Sequence, residues 1–267
     1  MMELLQLMWL PTLTCFILTG MHGYLGLQVI KRNVIFLDLA LAQLMGLAAI
    51  VSIVLHATGG YEWAVKGVFV LGGAGLLTAS RSRHHGISPE LFIGLLYVGA
   101  MAASMAFMSR FGTESHHLHD LLVGNLLFVE PVVVIKTGIL YASLGAFWWL
   151  LNRLKSAKSI HWGWDFLFYV VFAIVVNSSV ALGGVLLVFA LLIAPAAMAM
   201  LTAHTSLARL LMAWGIGVVG SLGGILLSLW TDTPPAAAVV LVLFLLFFLV
   251  YFIKRRTVSD PSVNLIG

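Results

Sequence analysis

Charge is scarce in this sequence. Only 9% of its 267 residues are Asp, Glu, Lys or Arg, and 61% are hydrophobic. Soluble domains carry about a quarter of their residues as charges, so the polar surface here is too small to coat a water-soluble globule. Lipid is the expected solvent. Thiols are scarcer still: the lone cysteine, Cys15, excludes an internal disulfide and a thiolate metal cluster and leaves the redox compartment open. Successive short segments of alternating polarity are missing, which excludes an outer-membrane barrel. A Gly-x-x-x-x-Gly-Lys-Ser/Thr phosphate loop is missing too, so nucleotide hydrolysis is expected from another protein and the chain is not read as an enzyme. The first ten residues hold Glu3 and no basic residue. Without a positive n-region a cleavable signal peptide is not expected, and the first helix stays.

What the sequence has in abundance is long apolar runs, each sufficient to cross a hydrocarbon core of about 30 Å as a helix. They lie near 5–30, 33–56, 62–80, 89–110, 132–152, 164–180, 183–203, 207–230 and 234–253, with a shorter piece at 121–130. The expected fold is an all-α polytopic membrane protein of about 8–9 transmembrane helices. It forms a single transmembrane domain over 1–267, with no soluble module and a cytoplasmic tail at 254–267. Placing the amino terminus outside puts Lys31, Arg32, Arg81, Arg83, Arg153, Lys155, Lys158, Arg209, Lys254, Arg255 and Arg256 on the cytoplasmic side, as the positive-inside rule requires. The net charge of +4 is thus spread over short loops, which argues against a nucleic-acid partner. The opposite loops gather Glu62, Glu114, Asp120 and Asp232 with His116, His117 and His119, an acidic, imidazole-rich mouth that would attract cations. Pro131, Pro195 and Pro234-Pro235 fall where spans begin or bend, and Gly72-Gly73, Gly183-Gly184 and Gly223-Gly224 suit close helix packing.

Ionisable groups inside spans cost several kcal/mol, roughly, and mark functional positions by default. Counting residues from the Lys31-Arg32 boundary puts Asp38 roughly 9 Å and Gln43 roughly 16 Å into the membrane, with His22 on the preceding helix near the depth of Gln43. Carboxylate, imidazole and amide oxygen together suit a transient site for Zn²⁺ or Mn²⁺. Bland readings stand beside this one. His22 could make an interhelical hydrogen bond to a carbonyl, Gln43 could tie two helices, and Asp38 could pair with Arg32 or a neighbouring helix end. The run Glu114 to Asp120, with His116, His117, His119 and Asp120, reads either as an outer ligand cluster or as a solvated loop. Glu130, before Pro131, is either pore-facing or a helix-end group, and His56 is interfacial.

Four ordered blocks resemble the zinc/manganese/iron class of ATP-binding-cassette permeases. Leu25 to Phe36 followed by Asp38-Leu39-Ala40-Leu41-Ala42-Gln43 resembles that family's second-helix signature, usually Gly-Asp-Ala-Leu-(Ala/Ser)-His. Pro89 to Tyr97 resembles its Glu-Asp-x-x-Ile-Gly-Ile-Leu segment, and Asp120 to Leu127 its Leu-Phe-Gly-(Ser/Asn)-Ile-Leu piece. Gly184-Val185-Leu186-Leu187-Val188-Phe189-Ala190-Leu191-Leu192-Ile193-Ala194-Pro195-Ala196-Ala197 is similar to its Gly-Val-Leu-Leu-Val-x-Ala-Leu-Leu-Ile-x-Pro-Ala block.

The resemblance implies the permease fold of a metal-ion importer, working as a homodimer in the bacterial inner membrane. It also implies a cytoplasmic ATP-binding subunit and an extracytoplasmic metal-binding protein as partners. The metal, zinc first and then manganese or iron, is cargo, and no permanently bound cofactor is expected. Two departures qualify this. The family's Asp and His fall on Leu39 and Gln43, with the carboxylate displaced to Asp38 and His22 as the substitute imidazole. The loop 152–164 also lacks the Asp-Pro-Glu-x-Ala-x-x-x-Gly stretch that docks on the ATPase, leaving Leu154 to His161 as a reduced coupling segment. The rival functions are an ATP-independent secondary cation transporter, a membrane-embedded metal enzyme using the His116 to His119 cluster, and a permease for metal chelates.

Overall fold

Each long apolar run becomes a helix. The computed structural model describes residues 2–82, 88–111, 126–154 and 161–259. Among them are α1 (Met2–Lys31), α2 (Leu37–Val54), α3 (Gly60–Ser82), α4 (Pro89–Phe111), α5 (Pro131–Leu154), α6 (His161–Thr202), α7 (Ser206–Thr231) and α8 (Pro235–Ser259), with no strand among the described residues. Of the short apolar piece at 121–130, Leu126–Phe128 forms one 3-10 turn, and its first five residues lie outside the described ones. All eight helices are long and apolar enough to span a membrane. Pro131 and Pro235 start helices, where the missing N–H costs nothing and the fixed φ suits the first turn. The backbone carbonyl of Glu130 accepts from the N–H groups of Val133 and Val134, which sets its backbone at the start of α5.

Two boundaries differ from the sequence reading. Residues 164–180 and 183–203 form one 42-residue helix, α6, broken internally at Gly184 (φ 75°, ψ 165°) and not at Pro195. At 1.5 Å per residue its length is about 63 Å, enough for two crossings, so eight helices accommodate nine expected spans. The conformation at Gly184 is open essentially to glycine alone. Gly184→Ala is therefore expected to destabilise the protein by about 1–3 kcal/mol, measured as a lowered thermal midpoint in detergent. An unchanged midpoint would mean the break is not strained.

The second difference is at the start of α2, expected near residue 33 but found at Leu37. Asn33 takes a left-handed conformation (φ 53°), and the Leu37 N–H bonds the Val34 carbonyl at 3.1 Å. The chain turns over Arg32–Phe36 without advancing along a helix.

The chain divides into two compact units. The first comprises residues 1–30, 126–129 and 186–267, the second residues 31–125 and 130–185. In the first unit α1 runs antiparallel to α7, its Thr19 against Gly217 and its Gly23 against Trp214. The Trp214 indole N–H donates to the Gly20 carbonyl at 2.9 Å. α7 packs on α8 through Gly220 against Leu243 and Gly224 against Val239. Lipid tails are as apolar as leucine, so this association rests on close packing, which small residues permit. The Thr205 hydroxyl caps α7 by accepting from the Ala208 N–H, and Arg209 Nε donates to the Ala203 carbonyl at the end of α6.

In the second unit α2 packs against α3 and α4 and is its most enclosed span, with 72% of its residues buried. Tyr141 of α5 donates its hydroxyl to the Val175 carbonyl of α6 at 3.2 Å. Edge-to-face contacts of Trp148 with Trp164 (6.2 Å) and with Phe168 (6.1 Å) join the ends of the same two helices.

Candidate metal site

The turn into α2 is built from contacts that leave little freedom. The Arg32 guanidinium donates to the Asp165 carboxylate in α6 and lies over the Phe168 ring at 4.2 Å. Val34 is fully buried. One residue after α2 begins comes Asp38, in its first turn. Asp38 is 1% exposed, and its carboxylate has no side-chain hydrogen-bond partner, only the nearby backbone N–H groups of Leu39 and of Asp38 itself. The pairing of Asp38 with Arg32, one reading of the sequence, does not form, because the guanidinium is engaged by Asp165. The dipole at the α2 N-terminus favours a carboxylate by only about 0.3–1 kcal/mol. An uncompensated buried charge costs several kcal/mol, roughly. A cation from outside would supply what the fold withholds.

Gln43 is half-buried. It follows Asp38 by five positions, about 140° around the helix, so the two side chains project from different faces of α2. Their depths also need correction: the turn consumes Arg32–Phe36, so Asp38 sits at the very start of α2 and Gln43 about 9 Å along it.

His22 belongs to the first unit, within α1. It is fully buried, and its Nδ1–H donates to the Leu18 carbonyl at 2.8 Å. This carbonyl bond lies within α1, one turn back, and is not the interhelical one of the bland reading. That tautomer also places the ring's lone pair on Nε2, the form in which imidazole ligates metals.

His116, His117, His119 and Asp120 lie outside the described residues. Among the described residues no group of three or more His, Cys, Asp or Glu side chains could hold a metal ion. Glu62 of the expected acidic mouth bonds Lys66 at 2.5 Å one turn along α3, which neutralises it.

Asp165 is the functional candidate that reading the sequence missed. A signal was present: it is the one acidic residue between Glu130 and Asp232, on a side otherwise lined with lysine and arginine.

A family model described as the ABC 3 transport family matches residues 2–254. Comparison with curated proteins finds no match. Among solved structures, PsaBC from Streptococcus pneumoniae in complex with Fab is similar, with a TM-score of 0.75 at 20% sequence identity over 94% of this chain and 93% of that chain. At that identity the likeness establishes the fold.

Proposed function

Because this chain belongs to the ABC 3 transport family, the metal-type class of ATP-binding-cassette permeases, we propose that it is the membrane subunit of an ATP-driven importer of a divalent metal ion, with Asp38 on the ion's route. The observation that carries this reading is the Asp38 carboxylate, buried with no side-chain partner. Intramembrane charges of this kind mark ion pathways. A carboxylate from α2, with imidazole and amide donors such as His22 and Gln43 along the route, suits zinc first, then manganese or iron. Few ligands per subunit also suit a conduit, since an ion held by four would not leave.

In this reading two copies pair in the bacterial inner membrane, amino termini outside. A cytoplasmic ATP-hydrolysing subunit drives them, and an extracytoplasmic metal-binding protein delivers the ion. The outer residues His116, His117, His119 and Asp120 gather ions at the mouth.

Purification of the tagged chain from its native membrane tests the partnership. A cytoplasmic ATPase subunit is expected to copurify, and metal uptake by intact cells is expected to stop on ATP depletion and to survive collapse of the proton gradient. Absence of the ATPase together with uptake that follows the proton gradient would replace this reading with secondary transport.

A further inference from the structure

The ion pair between Arg32 and Asp165 joins two places that chemistry on its own does not require to be joined. Arg32 lies in the turn that fixes the start of α2, six positions before Asp38. Asp165 lies in α6, one position after Trp164, which meets Trp148 of α5 edge to face. Trp148 also touches Phe168, the ring under the Arg32 guanidinium. The base of α5, the base of α6 and the start of α2 are thus one contiguous group of side chains inside a single unit. The pair is only about a fifth exposed, 19% and 22% for its two side chains. Screening is therefore weaker than for a surface ion pair, whose median contribution is about 0–1 kcal/mol. Arginine suits the place better than lysine, because its planar cation can stack on an aromatic face and reach a carboxylate at once.

We propose that Arg32 and Asp165 form a latch that couples the shared base of α5 and α6 to the position of Asp38, so that movement imposed at the base is passed to the head of α2. Both are positioning residues: neither need touch the ion. The proposal rests on the importer reading, in which a cytoplasmic ATPase acts at the end of the protein where the sequence gathers Lys31, Arg32 and Arg153. Asn33 in its left-handed conformation and the buried Val34 make the linker from Arg32 to α2 short and stiff, as a mechanical connection needs. Coupling of this kind travels through packed and hydrogen-bonded groups, and is demonstrated only by perturbing it.

The test uses proteoliposomes holding the complete complex with its ATPase and carrier protein, with Zn²⁺, Mn²⁺ and Fe²⁺ supplied in turn and the one the wild type accumulates kept as the probe ion. It reads ions accumulated per ATP hydrolysed, together with the thermal midpoint. Asp165→Asn and Arg32→Gln are each expected to keep the ATPase bound and hydrolysing at about the wild-type rate, while ions per ATP fall about fivefold or more, the usual scale of coupling between sites. The double variant Arg32→Asp with Asp165→Arg is expected to recover much of the ratio, since it restores the pair with its polarity reversed.

An unchanged ratio in both single variants overturns the latch. Hydrolysis, uptake and thermal midpoint falling in proportion, with the double variant restoring the midpoint but not the ratio, would also overturn it by showing a structural brace. If the wild-type complex accumulates none of Zn²⁺, Mn²⁺ and Fe²⁺ on ATP, the importer reading itself fails, and the latch falls with it.

Discussion

Asp38→Asn is expected to reduce metal uptake by about tenfold or more, on the scale seen when groups around a bound metal are altered, while the thermal midpoint holds or rises. Two facts about the Asp38 side chain lead to this outcome. Its carboxylate is buried at 1% exposure with no side-chain hydrogen-bond partner, so in its ionised form it bears a larger desolvation cost than the neutral amide of asparagine, nearly identical in shape. Function and stability should therefore separate, as they do where a site is held strained for its ligand. Uptake by membrane vesicles and a thermal melt in detergent check both halves. Uptake at the wild-type rate would remove Asp38 from the pathway. A midpoint lowered in step with uptake would make it a structural residue.

Gly26→Ala is expected to be among the most damaging single changes in the protein. A Cβ built at Gly26 would lie 2.0 Å from the Leu192 carbonyl oxygen and 3.0 Å from the Ala196 Cβ. The first obstacle is backbone, which cannot rotate aside, so α1 and the second part of α6 must separate. That opens the neighbouring core of Leu27, Ala196, Ala199 and Ala213. Overpacking alone costs typically about 1–3 kcal/mol, and the loss of close backbone approach adds to it in a membrane, where small residues are the main source of helix affinity. The expected outcome is little folded protein on size-exclusion chromatography. Gly20→Ala, where an added Cβ meets nothing within 4 Å, serves as the matched control and should behave as wild type. Normal yield and melting of Gly26→Ala would show that the two helices can part at little cost.

The spans were legible because lipid imposes one simple rule, about twenty apolar residues per crossing, and hydropathy reports it directly. The break in α6 was half legible: the Gly183-Gly184 pair stood out in the sequence, but only the backbone shows that Gly184 leaves the helical region while Pro195 stays inside it. The glycines of close approach were harder to read. A Cβ built at Gly224 would lie 2.3 Å from the Val239 Cα, whereas one at Gly72, equally prominent in the sequence, would meet nothing within 4 Å. Gly26 attracted no notice on its own. Which glycine meets a neighbour depends on helix rotation, and a nearly all-apolar helix carries too little amphipathic signal to reveal it.

The candidate site was legible in its residue types and not in its geometry. Asp38 was identifiable as an intramembrane carboxylate, but helix rise counted from Lys31 placed it too deep, since a turn over Arg32–Phe36 intervenes. The separation of Asp38 and Gln43 around α2 follows from their five-residue spacing once both are known to be helical. The bond from Arg32 to Asp165 spans 133 positions, and no local pattern announces a contact at that distance.

The most direct test of the central claim is metal accumulation in proteoliposomes that contain this chain with its copurifying ATPase, the carrier protein present, and Zn²⁺, Mn²⁺ and Fe²⁺ supplied in turn. ATP-dependent accumulation of one of these ions, zinc first, is expected of the wild type and its loss of Asp38→Asn. Accumulation that proceeds without ATP, or that survives intact in Asp38→Asn, would contradict it.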